Sequence, residues 1–348
     1  MSTAIITAID HSCEPVTTKQ DWMSDQEVRW CPGCGDYGIL TAVQTLLVEL
    51  GTLPHNTVIV SGIGCSSRFP YYMNTYGMHS IHGRAPTIAS GVAIARPDLD
   101  VWVITGDGDA LSIGGNHLIH ALRRNVNLNI LMFNNRIYGL TKGQYSPTTE
   151  QGKVTKSSPF GSLDQPFNPL SVAIGAEASF VARTRATDRK HMLDVLRAAH
   201  AHRGASFVEI YQNCAVFNDG TFDDLTGRAT RDEMMIDLHH GEQIRFGANG
   251  HQVVVSGRDG GLRIAEAADV DDSDILIHDA HRADPSVAFA LGRLSDNDHS
   301  PTPFGVFRDV ERGEYATMVA DQLDAVTANK GPGSMAALVR SNGSWHTH

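Results

Sequence analysis

Residues 105–149 read TGDGDALSIGGNHLIHALRRNVNLNILMFNNRIYGLTKGQYSPTT, and this stretch decides the fold. An apolar run at 101–104 leads into Gly106-Asp107-Gly108-Asp109, and a second at 128–133 leads into Asn134-Asn135. A helix-compatible segment lies between them. Each cluster taken singly reads as a turn. The pair says more: the 26 residues between Gly108 and Asn135 hold one helix and one strand, so both loops return to the same sheet edge.

In an open α/β sheet, ligands sit just past the carboxyl ends of the strands. Glycines there let backbone approach a diphosphate, and successive amides form a nest for anions. Asp107 and Asn135 add two hard oxygens, which suit Mg²⁺ bridging a diphosphate. The spacing resembles the thiamine diphosphate motif, in which Asp and Asn side chains bind Mg²⁺ and a backbone carbonyl two residues further on, here Ile137, completes the protein's share.

Working outward, 348 residues suit about two domains, or one large α/β domain with an appendage. With 41% hydrophobic residues the chain can bury a sizeable core. No apolar run approaches the roughly 18 to 20 residues of a membrane span, and no secretory signal is visible at the N-terminus. A formal charge of −11, from 28 basic and 39 acidic residues, argues against nucleic acid as the main partner. Five cysteines with one Cys-x-x-Cys pair point to metal or redox chemistry in a reducing compartment, so a cytoplasmic location is expected.

Residues 1–25 are polar, without clear period, and read as a loose arm in which Cys13 is a bystander. Next comes Trp30-Cys31-Pro32-Gly33-Cys34-Gly35-Asp36, whose two sulfurs flank a Pro-Gly turn. Asp36 is placed to cap a helix over 37–50 that ends at Gly51. A buried strand over 57–61 runs into Gly62-Ile63-Gly64-Cys65-Ser66-Ser67-Arg68. Residues 71–77 are aromatic without regular pattern. His82 and Arg84 lie in a loop before a small-residue helix at 87–95. Residues 150–168 form a long loop, and long loops inside compact domains are often functional. A helix at 169–176, a strand at 179–183, a helix at 189–202 and a strand running to Cys214 follow. The alternation from 37 to 214 predicts an α/β fold with a mainly parallel sheet covered by helices on both faces.

Beyond residue 222 the chain changes character, with short β-like runs at 243–246, 252–255 and 275–278, many acidic residues and no cysteine. The predicted organisation is therefore an arm at 1–25, a main domain at 26–222 and a smaller C-terminal extension at 223–348, whose tail from 330 is expected to be poorly ordered. Four cysteines (31, 34, 65 and 214) lie in turns at the ends of regular elements. Buried free thiols, a zinc site and an iron–sulfur cluster compete for them. One close pair plus two distant singles fits a cluster better than structural zinc, which more often uses two close pairs.

The segments CPGCGDYGIL, SGIGCSSRFP, HGRAPTIASG, TGDGDALSIGGNHLIHALRRN and NNRIYGLTKGQYSPTT, in this order, resemble the β subunits of 2-oxoacid:ferredoxin oxidoreductases, closest to the 2-oxoglutarate type. The resemblance spans roughly residues 30–220. It implies the thiamine-diphosphate-binding fold and a [4Fe–4S] cluster on Cys31, Cys34, Cys65 and Cys214. It implies thiamine diphosphate with Mg²⁺ on Asp107, Asn135 and the Ile137 carbonyl. The cofactor would lie among Ile63, Gly64, Cys65 and His82 on one side, and Gly106, Asp107, Gly108, Asp109, Asn135, Ile137, Tyr138, Gly139 and Leu140 on the other. Arg68, His82 and Lys142 are the candidate catalytic residues, holding substrate carboxylates or coenzyme A, with Arg84 a further candidate; Arg68 and Lys142 are favoured.

The implied activity is coenzyme A-dependent oxidative decarboxylation of 2-oxoglutarate to succinyl-CoA, reversible, with electrons passing through the cluster to ferredoxin. Pyruvate or a broad range of 2-oxoacids is the alternative substrate. Non-oxidative thiamine decarboxylases and synthases share the Gly-Asp-Gly and Asn pattern but not the four cysteines. A pure electron-transfer module would not need the paired Asp107 and Asn135 loops. Thiamine enzymes also need a glutamate near the aminopyrimidine, normally from a second domain. This chain shows one nucleotide-type unit, which implies an α subunit, an α₂β₂ heterotetramer and an inactive isolated chain.

Overall fold

Helix α1 (Asp36–Glu49) leads into strand β1 (Thr57–Ser61), and a 3₁₀ turn (Ser66–Tyr72) connects β1 to β2 (Tyr76–His79). Helix α2 (Ala85–Ala95), strand β3 (Asp100–Gly106), helices α3 (Asp107–Leu111) and α4 (Gly115–Arg124) and strand β4 (Leu128–Asn134) follow. After a long loop come α5 (Pro169–Gly175), β5 (Phe180–Arg185), α6 (Arg189–Ala201) and β6 (Ala205–Tyr211). Short helices α7 (Asp223–Thr226) and α8 (Arg231–Met234) precede β7 (Met235–Leu238), β8 (Arg245–Phe246), β9 (Gln252–Ser256) and β10 (Leu262–Glu266). The remaining elements are α9 (Ser286–Arg293), β11 (Thr302–Asp309), α10 (Tyr315–Lys330) and α11 (Met335–Arg340). The structure is a computed structural model describing residues 18–257, 261–296, 300–341, 343 and 345.

The main sheet has eight strands in the order β2-β1-β3-β4-β6-β5-β11-β7. The first six run parallel; β11 pairs antiparallel with β5 and parallel with β7. A small antiparallel sheet, β10-β9-β8, lies beyond it. Alternate side chains of a strand point to opposite faces, and here both sets are apolar. Val58, Val60, Val101, Val103, Ile130 and Met132 join the core on the side of α2, α4 and α5. Ile59, Trp102, Ile104, Leu131 and Phe133 join the core on the side of α1 and α6. Burying such a side chain contributes about 1.5–3 kcal/mol each, which is why near-continuous apolar runs select a doubly covered parallel sheet.

The helices follow from equally local causes. Leu118, Ala121 and Leu122 recur at i, i+3 and i+4, and α4 buries that stripe against the sheet. It stops at Asn125, whose φ of 56° is left-handed. Asn168 and Asp188 cap α5 and α6 by accepting from the amides of Ser171 and His191. Pro169 at the first position of α5 has no amide to leave unpaired. No helix among the described residues is long and apolar enough to cross a membrane.

The structure departs from the sequence reading at several points. Gly35, not Asp36, is the N-cap of α1, and Asp36 is the first helical residue, fully buried. Of the arm at 1–25, Cys13 and all residues to 17 lie outside the described residues; Lys19–Trp22 form a 3₁₀ turn anchored by Trp22, which is completely buried, so this part is not a loose arm. Residues 76–79 form the edge strand β2. The stretch after 222, read as an appended region, sends β7 and β11 into the main sheet. Residues 275–278 make isolated bridges only. Past Lys330, expected to be poorly ordered, residues 335–340 are helical.

Candidate active site

Strands β1, β3, β4 and β6 are adjacent and parallel, so the loops at their carboxyl ends meet on one edge. These loops begin at Gly62, Asp107, Asn135 and Gln212. They enclose a cavity of about 440 Å³. Every residue named above as cofactor-binding lies on its wall: Ile63, Gly64, Cys65, His82, Gly106, Asp107, Gly108, Asp109, Asn135, Ile137, Tyr138, Gly139 and Leu140.

Two glycines are required by close approach. A Cβ on Gly108 would fall 2.1 Å from the Tyr138 ring, and one on Gly62 would fall 1.9 Å from Asp109 Oδ2. The Tyr138 hydroxyl donates to the Gly108 carbonyl at 3.0 Å, tying the β4 loop to the β3 loop.

The two aspartates differ in their partners. Asp109 is bound into the protein: its Oδ1 accepts from the amides of Ile63 (3.1 Å) and Gly83 (2.7 Å) and meets His82 Nδ1 at 2.6 Å, while Oδ2 accepts from the Thr105 hydroxyl at 2.6 Å. It therefore staples three loops together. In the tautomer that turns Nδ1–H toward that carboxylate, Nε2 is left as an acceptor, on a side chain about one-third exposed. Asp107 Oδ2 accepts from the Ser146 hydroxyl at 2.5 Å and the Thr148 hydroxyl at 2.7 Å. Burial pushes the Asp107 carboxyl up to about 6, against the pull of these hydroxyls. Asn135 Oδ1 accepts from the Ile137 amide at 3.1 Å, which closes a tight turn where the loop leaves β4.

The cysteines gather behind this cavity. Cys31 is exposed; Cys34, Cys65 and Cys214 are half-buried, and all four are free thiols. The Cys34 amide donates to the Cys31 carbonyl at 3.1 Å, closing a turn in which Gly33 has a φ of 80°. Burial pushes the Cys65 thiol up to about 11; Asp36, Cys214 and Cys31 add to this and Arg68 opposes it. Burial also raises Cys34, with Asp36, Cys65 and Cys214 contributing. Burial lifts Asp36 itself to about 7, with Cys34 working the other way. The thiols thus feel one another. Among the described residues, however, no three or more His, Cys, Asp or Glu side chains converge as a metal site.

Cys65 lies on the cavity wall. Gly139 lies there too, and a Cβ on it would stand 3.5 Å from Cys214 Sγ and 3.7 Å from Cys65 Sγ. The Gly139 backbone therefore borders both the cavity and two of the sulfurs.

Arg68 and Lys142 are not on the cavity wall. Arg68 sits in the 3₁₀ turn Ser66–Tyr72, on the cysteine side, and Lys142 is exposed with a φ of 77°. Arg84 donates to the Ile113 carbonyl at 3.1 Å. Wall residues that the sequence did not single out are Ser66, Phe133, Thr141, Gln144 and Gln212. Gln212 is buried, with an Oε1 that has no hydrogen-bond partner; its one signal in sequence is its place at a strand end, two residues before Cys214. A larger polar cavity of about 1010 Å³ lies across the wall formed by Asn134 and Thr148. It holds none of the glycine loops, so its size does not make it the better candidate.

Residues 62–210 match the family described as thiamine pyrophosphate enzyme, C-terminal TPP binding domain. Over 328 residues the chain is 58% identical to the 2-oxoglutarate oxidoreductase subunit KorB of Mycobacterium tuberculosis, covering 94% of this chain and 87% of that one. It is 45% identical to the 2-oxoglutarate synthase subunit KorB of Archaeoglobus fulgidus, covering 53% of this chain and 69% of that one, and 46% identical to a 2-oxoacid:ferredoxin oxidoreductase subunit beta of Aeropyrum pernix, covering 55% and 60%. The chain belongs to the β subunits of 2-oxoacid:ferredoxin oxidoreductases. A β subunit of this family is part of an oxidoreductase and has an α partner. The fold agrees: a 2-oxoglutarate:ferredoxin oxidoreductase structure from Magnetococcus marinus, holding 2-oxoglutarate, coenzyme A and succinyl-CoA, matches with a TM-score of 0.74 at 30% identity, covering 96% of this chain and 98% of that one. That match extends over the part after residue 222, which the sequence reading set apart.

Proposed function

We propose that this chain is the thiamine- and cluster-bearing β subunit of a coenzyme A-dependent 2-oxoglutarate:ferredoxin oxidoreductase, forming succinyl-CoA and carbon dioxide. The observation that carries the reading is the shared wall: Cys65 and Gly139 border both the glycine-loop cavity and the cysteine set. A cofactor in this cavity lies within a side chain's length of a cluster ligand. The substrate assignment is supported by the M. tuberculosis and A. fulgidus relatives and by the ligands of the M. marinus enzyme.

The residues present fit the groups this requires. Asp107 and Asn135 side chains and the Ile137 carbonyl are the oxygen set for Mg²⁺, which prefers hard donors. Asp107 Oδ2 is held by two hydroxyls, so the carboxylate enters the set already oriented. Cys31, Cys34, Cys65 and Cys214 are the thiolate set for a [4Fe–4S] cluster, whose iron would displace the protons that burial favours on Cys34 and Cys65. Thiamine diphosphate supplies the electron sink that lets carbon dioxide leave, and the cluster supplies one-electron steps. His82, oriented by Asp109, offers Nε2 at the cavity wall as an acceptor for a substrate or cofactor proton. Arg68 serves the cysteine side, where its charge favours thiolate at Cys65. Lys142, exposed on the loop after the cavity, is placed to meet coenzyme A or a substrate carboxylate from outside. No glutamate among the described residues lines the cavity, which supports an α subunit supplying it, in an α₂β₂ assembly with ferredoxin as electron acceptor.

The test is the anaerobically purified αβ complex. Metal analysis should give about four iron and four sulfide per β chain; zinc without iron contradicts the cluster. A substrate panel should show viologen reduction that depends on coenzyme A and is fastest with 2-oxoglutarate. A preference for pyruvate contradicts the substrate assignment, and activity indifferent to coenzyme A contradicts the reaction.

A further inference from the structure

Arg136 stands between Asn135 and Ile137, two of the proposed Mg²⁺ donors, with a φ of 55°. That is the left-handed region, which residues other than glycine enter at a cost. Other contacts must therefore hold the backbone there. The Arg136 amide donates to Asn134 Oδ1 at 3.1 Å, and its carbonyl accepts from the Thr149 hydroxyl at 2.6 Å. Its Nη1 donates to Glu150 Oε1 at 2.5 Å. Its guanidinium carbon lies 4.8 Å from the centre of the Phe222 ring and 5.7 Å from that of Tyr211. Asn218 Nδ2 donates to the neighbouring Asn135 main-chain carbonyl at 3.0 Å.

This turn serves both cavities. Asn135 and Ile137 line the glycine-loop cavity, whereas Arg136 and Glu150 line the larger polar one. The Arg136 and Glu150 side chains are 23% and 25% exposed, so water and salt screen this pair less than a surface pair. The segment that carries Glu150 also reaches the third donor. Thr149 spends its one proton on the Arg136 carbonyl and accepts from the Ser146 amide at 2.7 Å, which leaves the Ser146 hydroxyl to donate to Asp107 Oδ2. Residues 146–150 thus touch both metal-ligand loops, and Glu150 makes the charged contact with the second.

We infer that Arg136 is a positioning residue: anchored by Glu150 and Phe222 in the second cavity, it holds the Asn135–Ile137 turn so that the Asn135 side-chain oxygen and the Ile137 carbonyl meet one Mg²⁺. The inference rests on the reading of Asp107, Asn135 and Ile137 as Mg²⁺ donors. Mg²⁺ demands near-ideal octahedral geometry, whereas Ca²⁺ accepts looser oxygen sets. A turn released from its anchor therefore costs Mg²⁺ more than Ca²⁺. A merely structural role, acting through general loss of stability, weakens both cations alike.

The experiment titrates Mg²⁺, and separately Ca²⁺, against thiamine diphosphate binding to the αβ complex, followed by quenching of protein fluorescence. Iron content and melting temperature are read in parallel. Arg136→Ala should raise the Mg²⁺ half-saturation about tenfold, the equivalent of one hydrogen bond to a charged group, and the Ca²⁺ half-saturation by less. Arg136→Gly, which frees φ but also lacks the anchor, should be no better than Arg136→Ala. Glu150→Ala should raise the Mg²⁺ value severalfold, and the double alanine variant should be no worse than Arg136→Ala, because Glu150 acts through Arg136. An unshifted Arg136→Ala, equal shifts for the two cations, or a glycine variant at wild-type affinity overturns the anchor. A wild-type complex that binds the cofactor equally well without a divalent cation overturns instead the reading of the donors. Should Ca²⁺ support no binding, the Arg136–Glu150 cycle decides, and single effects that multiply overturn the anchor. Should Arg136→Ala fail to fold with Glu150 left unpaired, the double variant removes that charge and should show the same Mg²⁺ shift; an unshifted double variant overturns the anchor.

Discussion

Asp107 and Asp109 stand two positions apart, both buried, and their substitutions should separate cleanly. Asp107→Ala should abolish Mg²⁺-dependent thiamine diphosphate binding while iron content is kept. Calorimetric titration of the αβ complex checks this, and retained tight binding contradicts the metal assignment. Asp109→Ala removes the staple between the β1 loop, the His82 loop and β3. Each hydrogen bond to a charged group is worth about 1.5–3 kcal/mol, so melting temperature and cofactor affinity should fall together. Both aspartates were legible in the sequence as part of one Gly-Asp-Gly-Asp cluster; their division of labour was not, because it depends on which loops fold back onto them. Ser146, Thr148 and Gln212 escaped for the same reason. Their contacts with Asp107 and the cavity cross 39 and more positions of sequence and leave no local pattern.

At the scale of elements, the strands that could be read were those whose both faces are apolar, such as β1 and β4, with ends placed within a residue or so. Strand β2 was missed because Tyr76, Gly77, Met78 and His79 are all exposed on an edge, so no burial alternation marks them. Strand β11 was missed because Pro303 and Gly305 sit within it and a bulge between Val306 and Arg308 breaks its register. One junction is expected to respond to pH. His200, near the end of α6, meets Asp100 at the start of β3 at 3.2 Å, and this hydrogen bond raises the pKa of His200 above its ordinary value. A raised histidine contributes stability that is fully present below its unfolded pKa of about 6.5 and is lost as pH rises through the folded value. His200→Gln should therefore flatten the fall in melting temperature across that window, as differential scanning calorimetry at pH 6 and pH 8 can show. An unchanged pH dependence would contradict the contribution of this contact.

The whole molecule is a sheet whose cofactor edge is built by residues before 215 and whose far flank is closed by residues after 230. Strand β11 lies between β5 and β7 and buries Phe304 and Phe307. A chain ending at residue 222 should expose the edge of β5 and this apolar surface and be recovered insoluble. Deletion from residue 331 should leave the melting temperature of the isolated chain unchanged, because the described residues 331–341 are exposed throughout it. In the proposed assembly one chain sets a thiamine cofactor directly against an iron–sulfur cluster. The direct measurement is the electron paramagnetic resonance spectrum of the oxidised, Mg²⁺- and thiamine-loaded αβ complex after mixing with 2-oxoglutarate. The signal of a reduced [4Fe–4S] cluster should appear in the wild type and be absent from Asp107→Ala. Release of carbon dioxide with the cluster remaining oxidised would contradict the account.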